Sequence, residues 1–253
     1  MRHMNIRHFF AIIICLAILL FSALCTFSCS KKNSFDDPPP TLPDNQPKNY
    51  PIVIIDAGHG GEDGGAIGIN GVLEKDLNLK IALELDQLLQ SAGLKTKLTR
   101  SEDILLYDKN SDYQGHKKEQ DMAARLSTAN EYTDAIFISI HMNSFSQEKY
   151  SGLQVYYSEN SELSVKLAQT VQDTVVKNLQ ANNTRKIKPS GDNIYLLKMI
   201  SHPSILIECG FLSNPQECAL LCTEEYQQKL SLVIYSAIMN YFDSLPNNTS
   251  NNT

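Results

Sequence analysis

Apolar positions in residues 51–242 repeat with two periods, and the periods alternate. Pro51–Asp56 (PIVIID) is a β-branched run that breaks into glycine-rich sequence, which predicts a short buried strand. Over Glu74–Ala92, Leu77, Ile81, Leu85 and Leu88 fall on one helical face, and Gly93 ends the helix. Leu94–Thr99 predicts a second strand, Asp121–Tyr132 a helix, and Ala135–Ile140 a buried strand. Leu153–Tyr157 predicts another strand, and Leu163, Leu167, Val171, Val175 and Leu179 step by four along a helix. Ser204–Glu208 predicts a last strand, and Glu224–Phe242 a closing helix with Leu230, Val233, Ile234, Ala237 and Ile238 inward. Alternating strands and helices predict an α/β fold: a twisted, mainly parallel sheet flanked by helices, in a single catalytic domain over residues 51–245. The polar stretch Arg100–Glu119 is long for a connection and is expected to border a site.

The ends break this pattern. Arg2 and Arg7 precede an apolar run from Phe9 to Leu24, and Lys31 and Lys32 follow it, so residues 1–30 read as a signal peptide or membrane anchor. Three outcomes stay open: retention as an anchor, cleavage, or lipid attachment at Cys29. All three place the body outside the cytoplasm. Residues 31–50 are polar and proline-rich, a semi-rigid linker, and residues 246–253 (PNNTSNNT) are expected to be a disordered tail.

Composition narrows the partners. Of 22 Lys and Arg, four lie in the first 32 residues, which hold no acid; the remaining 18 face 28 Asp and Glu, a net of −10. A nucleic-acid binder would show a basic face, so none is expected. Any grip on an anionic wall or membrane must come from a local site. Three of the six cysteines (Cys15, Cys25, Cys29) lie in the leader; Cys209, Cys218 and Cys222 are expected to be free thiols, because Cys218 and Cys222 sit four apart in an expected helix, a poor spacing for a mutual bond.

In such folds, sites collect beyond the C-terminal ends of strands. PIVIID is followed by Ala57-Gly58-His59-Gly60-Gly61 and AIFISI by His141-Met142-Asn143-Ser144, and the strand SILIE ends in Glu208, followed by Cys209-Gly210-Phe211. Two neutral imidazoles from neighbouring strand ends begin a zinc site, which then needs a third ligand and one open position. Glu74 is the third candidate, because the connection after His59 is expected to fold back over the strand end; an ordinary acid at a helix N-terminus is the plainer reading of it. Glu62 and Asp63 are weaker candidates within the glycine-rich loop itself. A carboxylate after Ile205-Leu206-Ile207 is costly to desolvate without a partner, so Glu208 is the candidate general base beside Zn²⁺, against the alternative of a salt-bridged acid at the sheet edge.

The segments DAGHGGEDGGAIG, LEKD, SIHMNS and LIECGFLSNP, in this order, resemble the zinc-dependent N-acetylmuramoyl-L-alanine amidases of the type 3 class, over about Ile52–Phe242. The resemblance implies zinc ligands His59, Glu74 and His141 and the catalytic glutamate Glu208. It implies hydrolysis of the amide between N-acetylmuramic acid and L-alanine in peptidoglycan. It also implies supporting roles for Arg125, Asn130 and Asn143. RKIKPSGDNIYLLK is similar to the spore-germination amidases, which help form muramic-δ-lactam in spore cortex. A zinc peptidase or deacetylase acting on another cell-wall amide is the alternative. Whether a protein activates the enzyme is not legible here.

Overall fold

A computed structural model describes residues 50–110 and 115–246. The segments expected at 1–30 and 31–50, and the tail expected at 246–253, lie outside these residues apart from Tyr50 and Pro246. Six strands form one mixed sheet: β1 (Ile52–Ala57), β2 (Thr96–Leu98), β3 (Ala135–Asn143), β4 (Gln154–Tyr157), β5 (Lys188–Pro189) and β6 (Ser204–Phe211). Their order is β2-β1-β3-β6-β4-β5. Four of the pairings are parallel, and β4 runs antiparallel to β6. The helices are α1 (Glu74–Ser91), α2 (Lys117–Asn130), α3 (Glu162–Asn178), α4 (Tyr195–Met199), α5 (Pro215–Leu221) and α6 (Glu224–Asp243). Among the described residues, no helix is long and apolar enough to cross a membrane.

Both faces of the sheet are covered, so the central strands are apolar on both sides while still alternating in direction. Val53, Ile55, Ile136, Ile138, Ile140, Ile205 and Ile207 face the larger core with Leu77, Ile81, Leu85, Leu167, Val171, Leu230 and Ile234 of α1, α3 and α6. Ile54, Phe137 and Leu206 face a smaller core with Ala129 of α2 and Leu196 and Leu197 of α4. Each fully buried aliphatic side chain contributes about 1.5–3 kcal/mol through its removal from water. Leu163 departs from the expected stripe: it sits in the first turn of α3 and is exposed.

Several elements differ from expectation for identifiable reasons. β3 and β6 run three residues past their expected ends, through His141–Asn143 and Cys209–Phe211, because backbone pairing between the two strands continues there, with a register shift between His141 and Asn143. α2 begins at Lys117, four residues early, since KKEQ has strong helix propensity and no apolar period. The helix expected around Cys218 and Cys222 is α5, which stops one residue before Cys222 and starts at a cap: the Asn214 side chain accepts the Glu217 N–H at 3.0 Å, with Pro215 opening the helix. The two exposed residues of β5 carry no strand signal.

On the smaller-core face, Asp56 is buried and ties four elements together. Its carboxylate accepts from Thr99 Oγ1 (2.8 Å), Ser139 Oγ (2.5 Å) and Arg125 Nη1 (2.6 Å). Arg125, fully buried in α2, also holds Asp121 one helical turn away through Nε at 2.8 Å. Burial alone would raise the Asp56 carboxyl; the Arg125 charge and the hydroxyl donors outweigh it and hold it below the usual range. Replacement of Arg125 by Met leaves two buried carboxylates without a cation. The expected cost is about 3–5 kcal/mol, read as a lower urea midpoint with an unchanged slope.

Candidate metal centre

The chain leaves the sheet abruptly after Ala57, so the carbonyls of Ala57, Gly58 and His59 lose ladder partners and need other donors. Side chains supply them. Arg125 donates to Ala57 O (2.8 Å) and His59 O (2.6 Å). Arg100 donates to Ala57 O (2.8 Å) and Gly58 O (3.0 Å), and Asn78 donates to Gly58 O (3.1 Å). Held in this way, His59 sits at φ +62, the left-handed region that L residues occupy at a cost. Position 58 must be glycine because the His141 ring lies where its Cβ would be. At Gly65, φ is +68 and a Cβ would come within 2.6 Å of Glu74 Oε2 and 2.7 Å of the His59 ring. The expected folding back of this connection is thus present, and Arg100–Glu119 does border it: Asp103 accepts from Gly61 N at 2.8 Å and pairs with Lys75 at 2.7 Å.

The loop and the two strands bring His59, Glu74 and His141 together, with one ligand atom of each within 4.8 Å of the others. Glu74 is the first residue of α1, but its carboxylate does not cap its own helix. Oε2 accepts from Ala66 N (2.8 Å), and Oε1 accepts from Met142 N (3.0 Å) and Asn78 Nδ2 (3.3 Å). Oε1 also lies 3.3 Å from His59 Nε2 and 2.9 Å from His141 Nδ1. Burial alone would raise the Glu74 carboxyl; the two imidazoles outweigh this and hold it far below the usual range. His59 Nδ1 faces Asp63 Oδ2 at 3.0 Å, which orients the ring and leaves Nε2 toward Glu74. Asp63, a weaker ligand candidate in sequence, is therefore a supporting carboxylate. Glu62 points away to Lys117.

Glu208 lies beside this cluster, directly opposite His141 in the β3–β6 register. His141, expected just after its strand, lies within it, and Glu208, expected as the last residue of its strand, is followed by three more strand residues; their direct pairing sets the two side chains on the same face. Burial pushes the Glu208 carboxyl up to about 7, with a further push from Glu74, against the pull of His141, His59 and Arg185. Its Oε2 is buried and has no hydrogen-bond partner among the described residues. The edge salt-bridge alternative is not what is found: no ion pair to Glu208 occurs among the described residues.

The donor set fits zinc. Tetrahedral bonds of about 2.0–2.2 Å set ligand atoms about 3.3 Å apart, close to the separations around Glu74 Oε1, and two nitrogens with one carboxylate leave a fourth position open. Glu208, paired with His141 across the strands, carries on the same face an oxygen without a hydrogen-bond partner among the described residues.

The other residues singled out in sequence divide. Arg125 supports the loop. Asn130 is exposed at the end of α2, away from the cluster, because the helix carries it to the far end of the sheet. Asn143 acts through its backbone, its carbonyl accepting Leu212 N at 2.8 Å; its side chain makes no hydrogen bond among the described residues. His116 is exposed, and His202 contacts Ala129 O; neither joins the cluster. Cys209, Cys218 and Cys222 are free. Residues missed in sequence are Arg100, Asn78 and Asp63 as supports; only Asp63, four residues after His59, carried a local signal.

Two measurements test this geometry. Asp63→Asn is expected to weaken zinc binding by about 10–100-fold while leaving one ion bound at saturation, as read by calorimetry. In metal-stripped protein, Glu208 binds a proton more tightly folded than unfolded between about pH 4.5 and 7. Its contribution to stability is present below pH 4.5 and lost as pH rises to 7. Relative to Glu208→Gln, the wild type should therefore lose up to about 3 kcal/mol across that window, as read by urea melts.

Comparison with known proteins shows the family. Residues 53–240 match the family model Amidase_3, described as N-acetylmuramoyl-L-alanine amidase. The germination-specific N-acetylmuramoyl-L-alanine amidase of Bacillus subtilis (strain 168) is 38% identical over 196 residues, 78% of this chain and 81% of that one. Among solved structures, the CwlD amidase of Clostridioides difficile, in complex with the GerS lipoprotein, shares 39% identity at a TM-score of 0.72, covering 77% of this chain and 99% of that one. AmiC2 of Nostoc punctiforme shares 31% identity at a TM-score of 0.65, covering 76% and 97%. The resemblance read from the four sequence motifs is thus found over the whole folded body, and the chain belongs to the N-acetylmuramoyl-L-alanine amidase family, with germination-specific enzymes among its relatives.

Proposed function

We propose that this amidase is a zinc enzyme in which His59, Glu74 and His141 hold the metal and Glu208 handles protons, and that it acts on spore cortex in the steps that lead to muramic-δ-lactam. The observation that carries the reading is the convergence of three ligand atoms within 4.8 Å beside a buried carboxylate oxygen without a partner. A zinc ion held there would supply Lewis acidity, lowering the pKa of a bound water and polarising the scissile carbonyl. The rest is done by this chain. Glu208 takes a proton from the attacking water and delivers it to the departing L-alanine nitrogen; burial raises its carboxyl, which favours holding that proton between the two transfers. Asp63 keeps the His59 ring in the ligating orientation. Arg125 and Arg100 keep the loop from relaxing away from the strand end.

The cortex role is supported by the germination-specific relative from Bacillus subtilis and by CwlD. Since that relative was solved with a lipoprotein, a lipoprotein partner outside the cytoplasm is part of the proposal. So is tethering of this chain through its apolar N-terminus, facing peptidoglycan.

Glu208→Gln is expected to retain one zinc per chain and lose about 10²–10⁴-fold in kcat. Full activity in that variant would remove Glu208 as the base. Mass spectrometry of digested cortex should show intact stem peptides with free L-alanine amines. Internally cut stems would identify a peptidase, and released acetate a deacetylase.

A further inference from the structure

On the smaller-core face, His141, Glu208 and Gln154 stand in one row across β3, β6 and β4, since each is the direct partner of the next. Side chains of directly paired residues share a face, and neighbouring strands lie about 4.8 Å apart. Arg185, in the connection before β5, extends the row. Its Nη2 donates to Gln154 Oε1 at 2.7 Å, while Gln154 Nε2 donates to Lys186 O at 2.7 Å, so the glutamine is clamped from both ends. The guanidinium carbon lies 4.8 Å from the Phe211 ring centroid, and the Arg185 N–H is held by Asn183 Oδ1 at 2.9 Å.

This guanidinium is fixed yet underused. Among the described residues it forms no ion pair; Nη1 has no hydrogen-bond partner and reaches solvent, and the buried Nε has none either. Stacking on Phe211 occupies one face of the planar group and leaves its edge for an acceptor. The folded body is acidic overall, and Arg185 opens a short basic run with the exposed Lys186 and Lys188; of these, Arg185 is the one held in the row, where its charge acts on Glu208.

We infer that Arg185 is a specificity-determining residue that receives a carboxylate of the stem peptide. This rests on the amidase reading, because that reading fixes the direction of the substrate. Glu208 hands its proton to the leaving nitrogen, so the stem extends from the metal centre on the Glu208 side, along the row toward Gln154 and Arg185. Two strand spacings are about 10 Å. An extended chain advances about 3.3–3.6 Å per residue, which brings the carboxylates of the second and third stem residues to about 7–10 Å from the cut. The planar fork of Arg is matched to a carboxylate.

The test uses muropeptides with the second-residue carboxylate free or amidated and, in a separate arm, the third-residue carboxylate free or amidated. Amidation at the recognised position should cost the wild type about 10–100-fold in kcat/KM, carried by KM, as for one charge-assisted contact. Arg185→Gln should show the same loss on the free acid and no discrimination, with kcat within about 3-fold of wild type; Arg185→Lys should recover part of the preference. Melting temperatures confirm that both variants fold. Calorimetry of released stem peptide on metal-stripped wild type should show the same preference without hydrolysis. Equal handling of acid and amide in both arms by the wild type overturns the assignment. So does a fall in kcat of Arg185→Gln that is the same on acid and amide. If the wild type binds with a carboxylate preference but cuts nothing, the amidase reading fails and the Arg185 contact stands.

Discussion

The capture of three backbone carbonyls by two buried arginines is the constraint on which the site depends. Past the end of β1, Ala57, Gly58 and His59 turn out of the ladder, and their carbonyls would be orphaned in a water-poor place. Arg125 and Arg100 meet that need, and each is anchored elsewhere: Arg125 by Asp56 and Asp121, Arg100 by the carbonyls of Lys75 and Glu102. The strained backbone of His59 persists because these contacts over-determine it. The energy resides in the charge network, and the benefit appears one residue later, in the direction of an imidazole.

Glu74 then joins the two halves of the site. It takes N–H groups from the loop at Ala66 and from β3 at Met142, so one carboxylate registers the loop against the strand while presenting an oxygen to both imidazoles. The glycines at 58 and 65 are the steric counterpart of this closeness: each marks a place where a ring or a carboxylate occupies the space of a side chain. Electrostatics follows from the same packing. Glu74 is kept ionised by its partners, whereas Glu208, a strand away and without a partner, is kept protonated to near neutrality by burial. Two glutamates in one cluster thus acquire opposite habits, the division of labour a hydrolytic centre needs.

The sheet topology places these groups. Because β4 runs antiparallel to β6 while its other neighbours are parallel, Gln154 stands beside Glu208 and the short connection to β5 brings Arg185 to the same row. The pairing register therefore sets His141, Glu208 and Gln154 in one row, and it cannot slip by one residue without turning every side chain to the opposite face.

By itself the sequence determined the alternation of strands and helices, the sheet class, and the candidates for the centre: His59, His141 and Glu208 at strand ends, with Glu74, Asp63 and Glu62 as competing carboxylates. Local physics writes these directly: β-branched runs, apolar steps of three and four, and His, Glu and Gly placed where strands end. It left α4 and β5 unread, because five and two residues hold no period, and it placed His141 after its strand and ended the last strand at Glu208, because a polar residue looks like an end when pairing partners are invisible. Only the tertiary structure decided which carboxylate joins the imidazoles. Asp63 is nearer to His59 in the chain, yet Glu74 meets both rings, and that choice depends on where α1 starts relative to β3. Arg100, Arg125 and Arg185 belong to the same class: 42, 66 and 31 residues separate them from Gly58, His59 and Gln154 respectively, and contacts of that separation exist only once the chain has folded.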